Sequence, residues 1–172
     1  MEDAFWQLYE KEPIEKITIK QVTDLAGYNR ATFYLYYQNL YDLRDQIEDS
    51  LLEEREQFVD AHFTNQTPLE TLRDETKAFL TRTQADAEYF KVLLGPHGDP
   101  AFVSRMNDFA KDTIRLYLAS TPTGQSLSPT HLDYLTEFYA AGKLGLVRKW
   151  LDDTYTIKLE DFIDLIIRAQ IV

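Results

Sequence analysis

Apolar residues recur along this chain at intervals of three and four, and no stretch between turns sustains strand alternation, which predicts helices throughout. Ala4, Phe5, Leu8 and Tyr9 share one side of a segment from Asp3 to Lys11, and Pro13 ends it. Thr18 then stands where a cap is needed, with Gln21 three positions on to reach back, so Ile19, Val22, Leu25 and Ala26 form the apolar face of a short helix. Gly27 stops that helix, because glycine tolerates the positive φ of a helix end. Asn29 caps a second short helix from Arg30 to Tyr36. Asn39, with Asp42 as its capping acid, opens a long one from Leu40 to about His62, carrying Leu43, Ile47, Leu51, Leu52, Phe58 and Val59.

The same reading extends through the rest of the chain. Thr67-Pro68-Leu69-Glu70 combines a capping box with proline at the first helical position. The helix it opens carries Leu69, Leu72, Thr76 and Phe79, and it, or a successor after a break near Thr83, runs on through Ala87, Phe90, Val92, Leu93 and Leu94. Gly95 to Gly98 make a turn, and Asp99-Pro100 start a helix with Phe102, Met106, Phe109, Ile114 and Leu118 on its face. Ser120 to Pro129 reads as a loop. Ser128-Pro129 open a helix through Leu132, Leu135, Phe138, Tyr139, Gly142, Leu146 and Trp150, and Thr156 is expected to cap a last one carrying Leu159, Phe162, Ile163, Ile166 and Ile167. The expected class is all-α: a three-helix head over residues 1–45, containing a helix-turn-helix, on an antiparallel helical body over 46–172.

Composition narrows the setting. The chain has 172 residues, of which 44% are hydrophobic, with only 6 Gly and 6 Pro, which suits a folded protein of long helices. It has no cysteine, so disulfides and thiolate metal sites are excluded. No apolar run is long enough to span a bilayer, and the first residues carry acid where a secretory signal carries base, so a cytoplasmic location without membrane contact is expected. The net charge of -11 weighs against nucleic acid as a partner. Its distribution matters more than its sum, however: from Gly27 to Tyr41 the only charged residue is Arg30.

Two short capped helices joined by a glycine turn can push one helix end into a major groove while the other spans the backbone. The residues add specificity to that geometry. Ile19 through Leu43 resembles the signature of the TetR family, with Val22, Ala26-Gly27, Tyr28, Asn29, Thr32, Tyr34-Leu35-Tyr36-Tyr37 and Asp42-Leu43 at its positions. The resemblance implies double-stranded DNA as the partner. Thr18 sits at a helix N-terminus, where it can meet a phosphate, and Arg30 begins the second helix, best placed to reach a guanine edge. Asn29 caps the same end. Thr32 and Tyr34 are further base or sugar candidates, Tyr36 resembles the family's phosphate-binding tyrosine, and Phe33 and Tyr37 are expected to point inward. A head this small cannot bury Tyr28, Phe33, Tyr34, Tyr36, Tyr37 and Tyr41 together, so some of them must face a partner.

From about Ala87 onward the chain resembles the C-terminal domain of Gram-positive TetR-like regulators of the kind found with dihydroxyacetone kinase operons. The likeness lies in Leu93 to Phe102, in Phe138-Tyr139-Ala140-Ala141-Gly142 and in Leu146 to Trp150. It implies a homodimer built on the last two helices, with Phe138, Gly142, Leu146, Phe162, Ile163 and Ile166 as candidate contacts. It also implies a body that can hold a small-molecule effector, with Phe90, Phe102, Met106, Phe109, Tyr134 and Trp150 as candidate lining, although aromatics at helical spacing equally suit a plain core. The competing function is a TetR-like interaction module with little DNA affinity that acts through a partner protein. Leu40, where relatives carry a phosphate-binding lysine, and the acidic net charge favour it.

No other chemistry finds support. His62, His97 and His131 are scattered without ligand spacing, so no metal is expected. The glycines form no phosphate loop, since no lysine with serine or threonine follows them, and no nucleophile motif occurs. The expectation is therefore no enzyme and no cofactor.

Overall fold

The helices begin where the sequence supplies caps, and a computed structural model describes them over residues 1–62, 69–153 and 156–168. In chain order they are α1 (Glu2–Tyr9), α2 (Ile19–Ala26), α3 (Arg30–Tyr36), α4 (Leu40–His62), α5 (Leu69–Ala85), α6 (Ala87–Leu93), α7 (Pro100–Ser120), α8 (Pro122–Gln125), α9 (Pro129–Asp152) and α10 (Leu159–Arg168). A 3-10 turn, Ile14–Lys16, joins α1 to α2. Among the described residues there is no strand, and no helix is long and apolar enough to cross a membrane.

The caps form as their residue types require. The Gln21 amide donates to Thr18 Oγ1 at 3.2 Å, and Gln21 Oε1 accepts from the Thr18 amide at 2.8 Å, a complete capping box. Gly27 closes α2 at φ 72. The Asp42 amide donates to Asn39 Oδ1 at 3.0 Å while Asp42 Oδ2 accepts from the Gln38 amide at 2.7 Å, so α4 starts with a reciprocal pair as well. Asp99 and Ser128 cap α7 and α9, each followed by proline in the first turn. Gly98 sits in the turn between α6 and α7, where a Cβ would lie 1.9 Å from the Leu93 carbonyl oxygen, so only glycine fits.

Three expectations change. The Ser120–Pro129 segment contains a short helix, α8, capped by Thr121, whose Oγ1 accepts from the Gly124 amide at 3.0 Å. Thr156 does not cap α10, which starts three residues later; its hydroxyl donates to the Asp153 carbonyl at 2.7 Å and closes the turn after α9. The break in the fifth helical segment falls at Asp86 rather than near Thr83. The proposed Thr67-Pro68 cap lies outside the described residues, as does the side chain of Ile167.

One apolar core runs from Phe5, Val22 and Phe33 through Leu43, Ile47 and Leu52 to Phe90, Phe102, Trp150 and Phe162. α4 carries it, with Leu43 in the same buried cluster as Phe33 of α3 and Val59 on the wall of a cavity among the later helices. Such a shared core makes head and body deform together rather than separately. α7 packs along α9, and α10 along α5. A smaller cluster of Ile114, Leu118 and Ala140 fills the far end of the α7–α9 contact.

Polar contacts add to this junction. Arg44 of α4 pairs with Asp99, the cap of α7, at 2.6 Å, and Arg105 of α7 pairs with Asp49 at 2.6 Å. The Tyr9 hydroxyl donates to the His97 carbonyl at 3.0 Å, and Trp6 lies 4.4 Å from the Tyr89 ring. Asp45, Glu48 and Asp99 converge around Arg44, and burial pushes the Glu48 carboxyl up to about 7.

Candidate nucleic-acid interface

α3 is held by the residue that points inward. Phe33 is fully buried, and its ring meets Tyr34 edge-on at 5.6 Å and Tyr37 at 5.4 Å. Tyr37 is half-buried and donates its hydroxyl to Glu2 Oε1 at 2.9 Å, tying the end of α3 back to α1. Burial and that carboxylate together push the Tyr37 phenol up to about 12. Phe33 and Tyr37 therefore serve as the inward pair expected from the sequence.

The rest of α3 faces solvent. Arg30, Ala31, Tyr34, Leu35 and Tyr36 are exposed, Leu35 by 78% and Tyr36 by 66%. Tyr28 and Tyr41 flank them and are also exposed, with the Arg44 guanidinium 5.6 Å over the Tyr41 ring. The ring cluster thus divides into Phe33 and Tyr37 inside and the others outside. Leu40, in contrast, is buried in the main core, so the residue at that position contributes packing instead of a phosphate contact.

The polar candidates occupy the two helix starts. Thr18 is exposed, and its hydroxyl also donates to Gln21 Oε1 at 2.7 Å, so it must be re-aimed before it can donate to a phosphate. Asn29 Oδ1 accepts from the Thr32 amide at 2.9 Å and from the Thr32 hydroxyl at 3.2 Å. This leaves the Asn29 side-chain NH2 as its outward donor, and makes half-buried Thr32 chiefly a brace for the α3 start. Lys20 of α2 is paired with Asp24 at 2.6 Å, which leaves Arg30 as the cation of the α3 surface. The arrangement offers donors, one guanidinium and aromatic faces on one short, fixed helix.

The body candidates separate into three groups. A cavity of about 120 Å³ lies among α4, α5, α6, α7, α9 and α10, and Phe90, Met106 and Phe109 line it as expected. Phe102 and Trp150 do not line it: Phe102 packs against Phe90 inside the core, and Trp150 stacks on Phe162 at 4.7 Å while its indole donates to the Ile157 carbonyl. Tyr134 is exposed on α9, away from the cavity. Lys143, absent from the expected lining, is on the cavity wall. The signal for it was available, because Lys143 sits four residues after Tyr139 and four before Val147, a charge inside an apolar stripe.

The candidate dimer residues divide similarly. Phe162, Ile163 and Ile166 are buried within the chain's own core, so α10 directs its main apolar face inward. Leu146 is half-buried against that core. Phe138 is 71% exposed, and with Tyr134, Gly142 and Gly145 it marks an outer strip of α9. A Cβ at either glycine would meet nothing within 4 Å, so this strip is open to close approach by another helix.

Comparison with known proteins agrees with the all-helical fold. Residues 70–170 match the family model described as the transcriptional regulator C-terminal region, of TetR type. YxbF of Bacillus subtilis (strain 168), an uncharacterized HTH-type transcriptional regulator, is 22% identical over 158 residues, which are 89% of this chain and 39% of that protein. The chain thus spans well under half of that relative's length. Among solved structures, the dihydroxyacetone kinase operon activator DhaS superposes with a TM-score of 0.56 at 15% identity, covering 98% of this chain and 90% of that one, a likeness of fold.

Proposed function

The chain belongs to the TetR family of transcriptional regulators, and we propose that it binds a palindromic operator in double-stranded DNA as a homodimer. The observation that carries this reading is the exposed end of α3, fixed from below by Phe33 and presenting Arg30, Tyr34 and Tyr36. α3 enters the major groove while α2 crosses the backbone. Arg30 reaches a guanine edge, Tyr34 a base or sugar, and Tyr36 with the Asn29 amide and Thr18 the phosphates on either side. The outer strip of α9 around Phe138 and Gly142 meets its symmetry mate, so that two α3 ends face one side of the dimer. With so few cations at its interface, this binding draws little from counterion release, so it is weak and falls only shallowly as salt rises.

The body is proposed to act as the switch. Val59 lines the cavity and Leu43 shares a buried cluster with Phe33 of α3, and both belong to α4, so a ligand that shifts α4 moves the head. Such a ligand acts only if it binds one head spacing more tightly than the other.

A fluorescence-anisotropy titration against the DNA upstream of the protein's own coding region tests the interface. Arg30→Ala and Tyr36→Ala are each expected to weaken specific binding about tenfold to a hundredfold, the loss of one good directional contact. Variants that bind as tightly as the unaltered protein would refute the assignment. A second reading, an interaction module acting through a partner protein, draws on exposed Leu35 between two exposed tyrosines, an apolar surface suited to protein contact. Absence of specific binding even at low salt, while the fold is intact, would favour it.

A further inference from the structure

We infer that the body cavity binds a small apolar monocarboxylate, its carboxylate paired with Lys143 and its hydrocarbon part enclosed by the aromatic and aliphatic walls. This deepens the effector reading above and rests on it for its regulatory meaning, although the binding itself is measured without DNA.

The walls define the ligand's body. Phe79 and Phe109 lie nearly parallel at 6.0 Å, and Met106, Leu144, Val147 and Ile166 complete a surface that solvates hydrocarbon and little else. The Thr83 and Thr113 hydroxyls on the wall donate to their own helix, to the Phe79 carbonyl at 3.1 Å and the Phe109 carbonyl at 2.9 Å. Their protons are therefore not available to a ligand, which leaves the Thr76 hydroxyl as the other polar group of the wall along with Lys143. At about 120 Å³ the space is close to that of an engineered apolar cavity of about 150 Å³ that holds benzene.

Lys143 defines the ligand's head. Among the described lining residues it is the one ionisable side chain, and it makes no ion pair or hydrogen bond with a described residue. Burial alone displaces its pKa, downward to about 8. Lys143 is half-buried; a partly desolvated cation without a counter-ion is unfavourable, and placing a carboxylate beside it converts that penalty into attraction. A neutral ligand of the same shape leaves the penalty in place. An amine adds to it.

A neighbouring feature supplies the competing outcome. Val59, Phe109 and Thr113 also border an outer groove with Glu56, Asp60, Asp108 and Asp112, offset by Arg105, which would suit a cation instead. The cavity and the groove therefore predict opposite charge preferences.

The test titrates the full chain, free of DNA, with benzoate, phenylacetate and octanoate by calorimetry, alongside benzyl alcohol and benzylamine. At least one carboxylate is expected to saturate and to bind about tenfold or more tighter than the alcohol, with the amine weakest, as a charge-assisted hydrogen bond requires. Lys143→Met, which fills similar volume without charge, should abolish the preference for carboxylate, keep alcohol binding, and raise the melting temperature of the free protein. Saturation by no carboxylate, equal affinity for acid and alcohol, preference for the amine, or an unchanged preference in Lys143→Met would each overturn the inference. Because no DNA is present, these outcomes stand apart from failure of operator binding.

Discussion

Asp86→Ala is expected to destabilise the protein by about 3 kcal/mol or more, the range observed when one partner of a buried ion pair is removed. Arg55 is only 1% exposed, and its guanidinium donates to Asp86 Oδ2 at 2.6 Å and to the Leu51 carbonyl at 3.0 Å while lying 4.6 Å over the Phe90 ring. Its Nε has no partner, so the site is already short of one hydrogen bond. Removing the carboxylate leaves the buried guanidinium with only half-exposed Glu54, 3.9 Å away, as a counter-charge. Asp86 also stands at the break between α5 and α6, and Phe90 is a cavity wall, so the loss should loosen the body where a ligand would bind. Urea unfolding measures the effect, and the double variant Arg55→Met with Asp86→Leu should recover most of it. A loss below about 1 kcal/mol in the single variant would show that solvent replaces the partner freely.

Phe33→Ala should cost about 3–5 kcal/mol, because it removes a large buried ring and leaves a cavity that its neighbours fill only in part. Phe33 sits between α3 and the shared core, so the functional consequence exceeds the energetic one: α3 loses the contact that sets its angle. Operator affinity should fall further than in Tyr34→Ala, although Tyr34 is the residue proposed to face DNA. Hydrogen exchange should show faster opening of α2 and α3 first, since these two short helices bury only Val22, Thr23 and Phe33. Slow, unaltered exchange there, together with near-normal stability, would contradict the assigned role.

Much of this architecture was legible because helix ends are written locally. Thr18, Asn29, Asn39, Asp99 and Ser128 all act as caps, and the Gly27 stop and Gly95–Gly98 turn fall where their residue types demand. The resemblance to TetR regulators, read first from Ile19 to Leu43, agrees with the family match over residues 70–170 and with the fold likeness to DhaS. Local rules did not reach the body's finer organisation. Helical spacing places Phe102, Phe138 and Trp150 on apolar faces alike, but only packing decides that Phe102 and Trp150 are enclosed while Phe138 is open. Thr156 shows the same limit at smaller scale, since a cap residue can equally close the preceding turn. Lys143 and Arg55 are hard to single out by residue type, since a lysine or arginine on a helix is usually solvated; their place within apolar stripes is the signal.

The most direct measurement is a hydroxyl-radical footprint of the protein on its upstream DNA. Two α3 ends carried by one symmetric dimer should protect two patches on the same face of the duplex, about one helical turn or 34–36 Å apart, with both lost together in Arg30→Ala. A single protected patch, or diffuse protection unaffected by that substitution, would contradict the account.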